Sequence, residues 1–313
     1  MSEYIGHVIV AKDMLRVARR WGRVSRPLVG AVEAAPHAAW LGSGSGGGRH
    51  GIGPLAEALR GRVPFRGDDV TRAAFLFGWT SHQAADGYFK AVYRNALAVA
   101  YNALPDHAKS PPADVAVVHD VVLMRERMDG GREAPFAPSI FDYRLESEPA
   151  ASVLDVPSTE AAFGMQAQRE AFARMSDASR GAGGALADRL EGYFRRLDPF
   201  YVPTDRYAKA AHDPDPEQLR RFVHDVRFYD PDDAVFAIAD GEGPLPDADV
   251  EAALAAADAR GSLYARVVAV AARFAVTLGD VLEGRADLDA LGPILEAQPG
   301  EDQAIEAVYD ASL

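Results

Sequence analysis

Residues 74–86 read Ala-Phe-Leu-Phe-Gly-Trp-Thr-Ser-His-Gln-Ala-Ala-Asp. A nearly continuous apolar run, Ala73 to Trp79, leads into His82, and Asp86 follows four residues later. At 3.6 residues per turn this spacing puts an imidazole and a carboxylate on one face of a helix. A polar pair on the inner face of a helix must be satisfied once it is buried. The two side chains can bond each other, bond backbone or neighbouring side chains, or share a metal ion. The first two arrangements are structural, and only the third is chemical.

Working outward, Asp68 or Asp69 is a good N-cap for the helix that carries this stretch, which the pattern extends to about Ala103 with a weak point at Gly87. Upstream, Tyr4 to Arg23 has Ile5, Val8, Ile9, Met14, Leu15, Ala18 and Trp21 near the three-four spacing of an amphipathic helix, with His7 in its first turns. Pro27 and Pro36 break the weaker pattern that follows, and residues 42–54, GSGSGGGRHGIGP, predict a flexible connector ahead of a short helix from Pro54 to Arg60. That connector contains G-x-G-x-x-G at Gly42, Gly44 and Gly47. No strand precedes it, and Gly51 and Pro54 prevent a helix from opening on the third glycine, so it is not a dinucleotide turn. It also lacks the Gly-Lys-Ser/Thr ending of a phosphate loop, and its Gly-x-Ser-x-Gly does not sit in a strand-turn-helix elbow.

Downstream, Ser110-Pro111-Pro112 opens a helix ending near Met128, and Glu133 to Val156 is irregular. Helical patterning resumes at Ser158–Ser179 and Leu186–Leu197, then at Pro216–Tyr229, Asp247–Arg260 and Leu263–Leu282. No internal repeat is present and no strands alternate with helices. The reading is a single all-α domain of about nine helical segments. Residues 1–128 form its candidate site half, 157–283 wrap around them, and 284–313 form a weakly patterned acidic tail.

With 313 residues, 48% hydrophobic and 25% charged, the chain has the composition of a soluble globular protein. A formal net charge of −13 argues against nucleic acid as the main partner. The Arg-rich stretch Arg16 to Arg26 is interleaved with Val17, Ala18 and Trp21, as expected of a solvated helix face with an apolar back. The chain contains no cysteine, so any metal must be held by His, Asp, Glu or backbone. The first residues, MSEYIGHVIVAKDML, lack the basic region of a signal peptide, and no run approaches the roughly 18 apolar residues of a membrane span. The expected location is the cytoplasm.

Three elements together resemble the zinc-dependent phospholipase C family. They are Gly6-His7-Val8-Ile9-Val10-Ala11, the Leu41-Gly42-Ser43 turn, and Phe75 to Asp86, in which Phe75, Gly78, Ser81, His82 and Asp86 match the family's F-x-x-G-x-x-S-H-x-x-x-D pattern. The resemblance covers about the first third of the chain. It implies a helical metal-phosphoesterase fold around two or three zinc ions, with His7, His82 and Asp86 as ligands, His50 closing the site from the glycine loop and His119 approaching from a later helix. It further implies hydrolysis of a small phosphoester or lipid-headgroup substrate, in which zinc acidifies its water to a pKa of about 7 and holds the phosphate oxygens.

The chain departs from the family at three places. Ser45-Gly46-Gly47-Gly48 stands where the family has Pro-Asp, Leu123 follows His119 where a Glu would complete H-x-x-x-E (leaving Asp120 and Glu126 nearby), and Val92 stands at the place of a further histidine. Two other readings follow. One is a non-catalytic binding or structural protein on the same scaffold. The other takes His119-Asp120 as the His-Asp pair of an HD-type metal phosphohydrolase. His37, His107, His212 and His224 read as surface or capping residues.

Overall fold

The computed structural model describes residues 4–45, 49–91, 112–129 and 213–296, together with 168–173, 175, 188 and 190–192. Among these residues the chain is helical and has no strand. Trp21 and Leu245 form an isolated bridge, with the Leu245 N–H donating to the Arg20 carbonyl. The all-α reading therefore holds. Among the described residues no helix is long and apolar enough to cross a membrane.

The helices run in the order α1 (Tyr4–Arg20), α2 (Arg26–Ala34), α3 (Pro36–Ser45), α4 (Arg49–Leu59), α5 (Asp68–Ala91) and α6 (Pro112–Arg127). After α7 (Pro216–Leu219), which continues as a π-helical turn (Arg220–His224), come α8 (Ala234–Asp240), α9 (Asp247–Arg260), α10 (Leu263–Leu282), a 3-10 turn (Leu288–Leu291) and α11 (Gly292–Glu296). Helices α5 and α10 form the centre, packed on each other and on α1. Phe75, Phe77 and Trp79 of α5 and Tyr264 of α10 are fully buried. α10 starts where the Ser262 side chain accepts from the Ala265 N–H.

Several expectations are corrected. The stretch read as broken by Pro27 and Pro36 is two helices. Ser25 caps the first by accepting from the Leu28 N–H, with Pro27 in its opening turn, and Pro36 begins the second. In both cases proline stands where its missing N–H costs nothing. The expected connector is helical at residues 42–45 and again from Arg49, and Pro54 lies inside α4 instead of starting it. The helix expected over Pro216–Tyr229 passes into a π-helical turn after Leu219 and ends at His224. The boundaries of α9 and α10 are as the sequence indicates. α5 runs unbroken through Gly87 as far as Ala91, and its expected extension to Ala103 lies outside the described residues, as do the irregular segment 133–156 and most of the tail.

A buried ionic network fixes α1 against the second half of the chain. Asp13, fully buried, accepts from Arg127 Nε (2.9 Å) and Nη2 (3.1 Å), Arg16 Nη1 (2.8 Å) and the Tyr264 hydroxyl (2.8 Å). Arg127 also bonds both oxygens of Asp240 and lies over the Phe236 ring. Burial alone would raise the Asp13 pKa, and the Arg127 and Arg16 charges outweigh it, so the carboxyl stays ionised below its ordinary value. One aspartate on α1 is thereby tied to α6 and α10 and, through Arg127, to α8.

Candidate metal centre

The site is built where α3 crosses α5. The two helices meet backbone to backbone because both carry glycine at the crossing. A Cβ on Gly78 would lie 1.7 Å from the Ala39 carbonyl oxygen, and one on Gly42 would lie 2.1 Å from the Phe75 carbonyl oxygen. No other residue allows this approach. Its result is that the backbone of Ser43, one residue past Gly42, reaches the ring of His82, one turn past Gly78. His82 Nδ1 lies 2.7 Å from the Ser43 carbonyl oxygen.

That contact assigns the tautomer. A carbonyl only accepts, so His82 Nδ1 carries the proton, and in the neutral ring Nε2 carries the lone pair. Nε2 faces the Asp86 carboxylate, 3.1 Å from Oδ2, as the four-residue spacing on α5 requires. His7, from the second turn of α1, reaches the same carboxylate, with Nε2 3.3 Å from Oδ1. The two imidazoles stack with centroids 4.5 Å apart and planes at 29°. His7 is 2% exposed and His82 8%, while the Asp86 side chain keeps 19% of its surface, so the cluster opens on the carboxylate side. Burial works against the charge on Asp86. With His82 protonated, its positive field and the hydrogen bonds from His7 and His82 override burial and hold the carboxyl well below the usual carboxylate range.

An ionised carboxylate and the lone pair of a neutral His82 Nε2 repel each other at this distance. The contact is favourable only if His82 takes a second proton or if a cation lies among the three groups. The donor set fits zinc. Two imidazole nitrogens and one carboxylate oxygen lie within 4.8 Å of one another. Tetrahedral zinc with ligands at about 2.0–2.1 Å separates them by about 3.3 Å along each edge. The closest His–Asp approaches here, 3.1 Å to Oδ2 and 3.3 Å to Oδ1, are made to the two different oxygens of Asp86. The backbone partner on His82 Nδ1 is the outer-shell contact that metal-bound histidines generally make. Among the described residues this is the one group of three or more such side chains that could hold an ion.

Of the sequence-derived candidates, His7, His82 and Asp86 therefore come together. His119 does not join them. On α6 it is Asp120 that turns towards α1, where its Oδ1 accepts the Gly6 N–H at 2.8 Å. His119 points to the π-helical turn, donates Nε2–H to the Phe222 carbonyl and stacks on Phe228 at 3.6 Å with planes 2° apart. Burial pushes its pKa down to about 3, so it is neutral, with the nitrogen nearest to a partner already used. His119 and Asp120 thus bond different partners, the Phe222 carbonyl and the Gly6 N–H, whereas an HD-type site would need both on one ion. His50 lies in the first turn of α4, and its side chain is outside the described residues. His224 is exposed as expected, His37 is half-buried edge-on to Trp40, and His107 and His212 lie outside the described residues.

Sequence reasoning missed the role of Ser43. Its hydroxyl donates to the His7 carbonyl at 2.5 Å, and Ser81 lies 3.0 Å from it. The available signal was the Leu41-Gly42-Ser43 element, read as a turn when it is the end of a helix.

A scan against protein-family models, a search of curated proteins and a search of solved structures each gave no match.

Proposed function

We propose that this protein is a metal-dependent hydrolase, with zinc held by His7, His82 and Asp86, and that it acts on a small phosphoester in the manner of the zinc-dependent phospholipases C that its N-terminal third resembles. The observation that carries the reading is the meeting of two imidazole Nε2 atoms with one half-buried carboxylate, with the His82 Nδ1 proton already committed to a backbone carbonyl. Zinc bound there would supply a Lewis acid for a phosphoryl oxygen and a water acidic enough to ionise near neutral pH.

The chain's own residues do the rest. His7 and His82 bind from different helices, so the site depends on the tertiary fold. Asp86 contributes the negative charge that a dication requires, and its exposed edge leaves an approach for substrate. The net charge of −13 disfavours polyanionic substrates and suits a small phosphodiester, phosphomonoester or lipid headgroup. The three-residue donor set is that of one ion. A second or third zinc, as in the family, requires ligands from outside the described residues.

One observation favours a second reading. The direct contacts of 3.1 and 3.3 Å also satisfy a metal-free His–Asp–His cluster with His82 doubly protonated, which suits a binding or structural protein on this scaffold. Turnover separates the two. Protein with and without added zinc, and after stripping with dipicolinate, is assayed on bis(p-nitrophenyl) phosphate, p-nitrophenyl phosphate and p-nitrophenylphosphorylcholine. The proposal expects hydrolysis of at least one, lost on stripping, restored by zinc and abolished in His82→Ala. Zinc-loaded protein inert towards all three supports the second reading.

A further inference from the structure

We infer that Ser43 is a positioning residue of this metal centre, setting both histidines at once; the inference rests on the zinc reading above. Ser43 is fully buried and touches each histidine through a different group. Its carbonyl takes the Nδ1 proton of His82 at 2.7 Å, which fixes the ring's tautomer and turns Nε2 towards Asp86. Its hydroxyl donates to the His7 carbonyl at 2.5 Å, which fixes the position of α1 at the residue that carries the other imidazole.

The hydroxyl protons can be counted. Ser43 has one, given to His7. Ser81, also fully buried and adjacent to His82 in sequence, has one, shared between the Gly78 carbonyl at 2.6 Å and Ser43 Oγ at 3.0 Å. A chain of contacts thus runs from α5 through Ser81 and Ser43 to α1, and it links the backbones of the two helices that supply the ligands. Helix α3, which provides no ligand of its own among the described residues, sets the distance between them. The glycine contacts at the α3–α5 crossing are what let the Ser43 backbone come so near.

An outer-shell partner on a ligand ring typically changes metal affinity by about 10–100-fold when removed. Ser43→Ala keeps the Ser43 carbonyl on His82 and removes only the hydroxyl bond to the His7 backbone, so about tenfold, the lower end of that range, is expected. A residue that merely fills space does not change the geometry of the bound ion. The test uses Co(II) in place of zinc, because its visible absorption reports coordination geometry and its affinity can be measured by competition with a chelator. Wild type is expected to bind Co(II) with a defined d–d spectrum. Ser43→Ala is expected to bind it about tenfold more weakly with an altered spectrum, and Ser43→Thr, which keeps the hydroxyl, to recover most of both.

Thr80→Ala is the control. Thr80 is equally buried, and its hydroxyl bonds the Phe77 carbonyl at 2.7 Å. Its loss is expected to lower the melting temperature while leaving Co(II) affinity and spectrum unchanged. Wild type that takes up no Co(II) overturns the zinc reading and this role with it. Wild type that binds while Ser43→Ala matches it in affinity and spectrum overturns this inference alone, as does equal weakening in Ser43→Ala and Thr80→Ala. If Ser43→Ala does not fold, Ser81→Ala is measured instead: a shift in the same direction and of smaller size supports the inference, and no shift overturns it.

Discussion

Gly78→Ala is the substitution that loads the crossing of α3 and α5 most directly. The added Cβ would meet the Ala39 carbonyl oxygen at 1.7 Å, the Ala39 carbonyl carbon at 2.5 Å and its Cα at 2.8 Å. These are backbone atoms and cannot rotate away. To bring the first contact even to 3.0–3.4 Å, tighter than most real Cβ contacts, the helices must part by at least about 1.3–1.7 Å. A displacement of that size along the His82 Nδ1–Ser43 oxygen direction would stretch the 2.7 Å hydrogen bond to about 4 Å, beyond bonding range. Overpacking of this kind costs about 1–3 kcal/mol, and the value here belongs at the upper end because neither backbone can yield. Losing the hydrogen bond adds about 1 kcal/mol, and the better helix propensity of alanine returns about the same amount. The expected net loss is therefore about 3 kcal/mol, read as a shift of the urea midpoint at unchanged slope. Gly30→Ala on α2, where a Cβ meets nothing within 4 Å, is the internal reference and should be neutral or stabilising by up to about 1 kcal/mol. Gly78→Ala as stable as wild type would show that the two helices do not meet in this way, and the geometry of the site would fall with them.

Other expectations follow from the buried polar groups. His119 is held neutral, with its pKa pushed down to about 3 against an ordinary value near 6.5, so its contribution to stability is fully present above pH 6.5 and is lost as pH falls from there towards 3. Between pH 7.5 and 5.5 wild type should lose roughly 1 kcal/mol more than His119→Gln in matched urea titrations, and parallel pH profiles would contradict the burial of a neutral ring. Arg127→Met removes the guanidinium that bonds Asp13 through two nitrogens and leaves that carboxylate buried with fewer donors. The expected cost is about 3–5 kcal/mol by denaturant unfolding, and a loss under about 1 kcal/mol would mean that the network is not the anchor of α1.

The legible part of the fold was the part governed by local pattern. The span Leu263–Leu282 read from the sequence is that of α10, and the His82–Asp86 interval placed both side chains on one face of α5, where they now touch. The convergence of His7 on that pair depended on family resemblance, because no local rule brings residue 7 to residue 86. What could not be read was set by contacts distant in sequence. Gly42 reads as a turn residue and Gly78 as one more position of a helix until it is seen that each admits another backbone, and helix-ending propensity at Gly42 yields to that packing. His119 was the candidate ligand and Asp120 only its neighbour, yet it is Asp120 that faces α1. Which one faces α1 is decided by the rotation of α6 against α1 and the π-helical turn, a tertiary choice with no signal in the dipeptide itself.

The central claim, that His7, His82 and Asp86 hold a metal ion, is tested most directly by zinc content and affinity. Protein prepared without chelator is analysed for metal, then stripped and titrated with zinc against a chromophoric chelator, with His82→Ala alongside. The account predicts at least one zinc per wild-type chain, and a stoichiometric site in the titration that His82→Ala weakens by orders of magnitude, since no cysteine exists to replace the lost ligand. A wild-type chain that neither carries nor takes up zinc, or a His82→Ala chain that binds it as tightly as wild type, would contradict it.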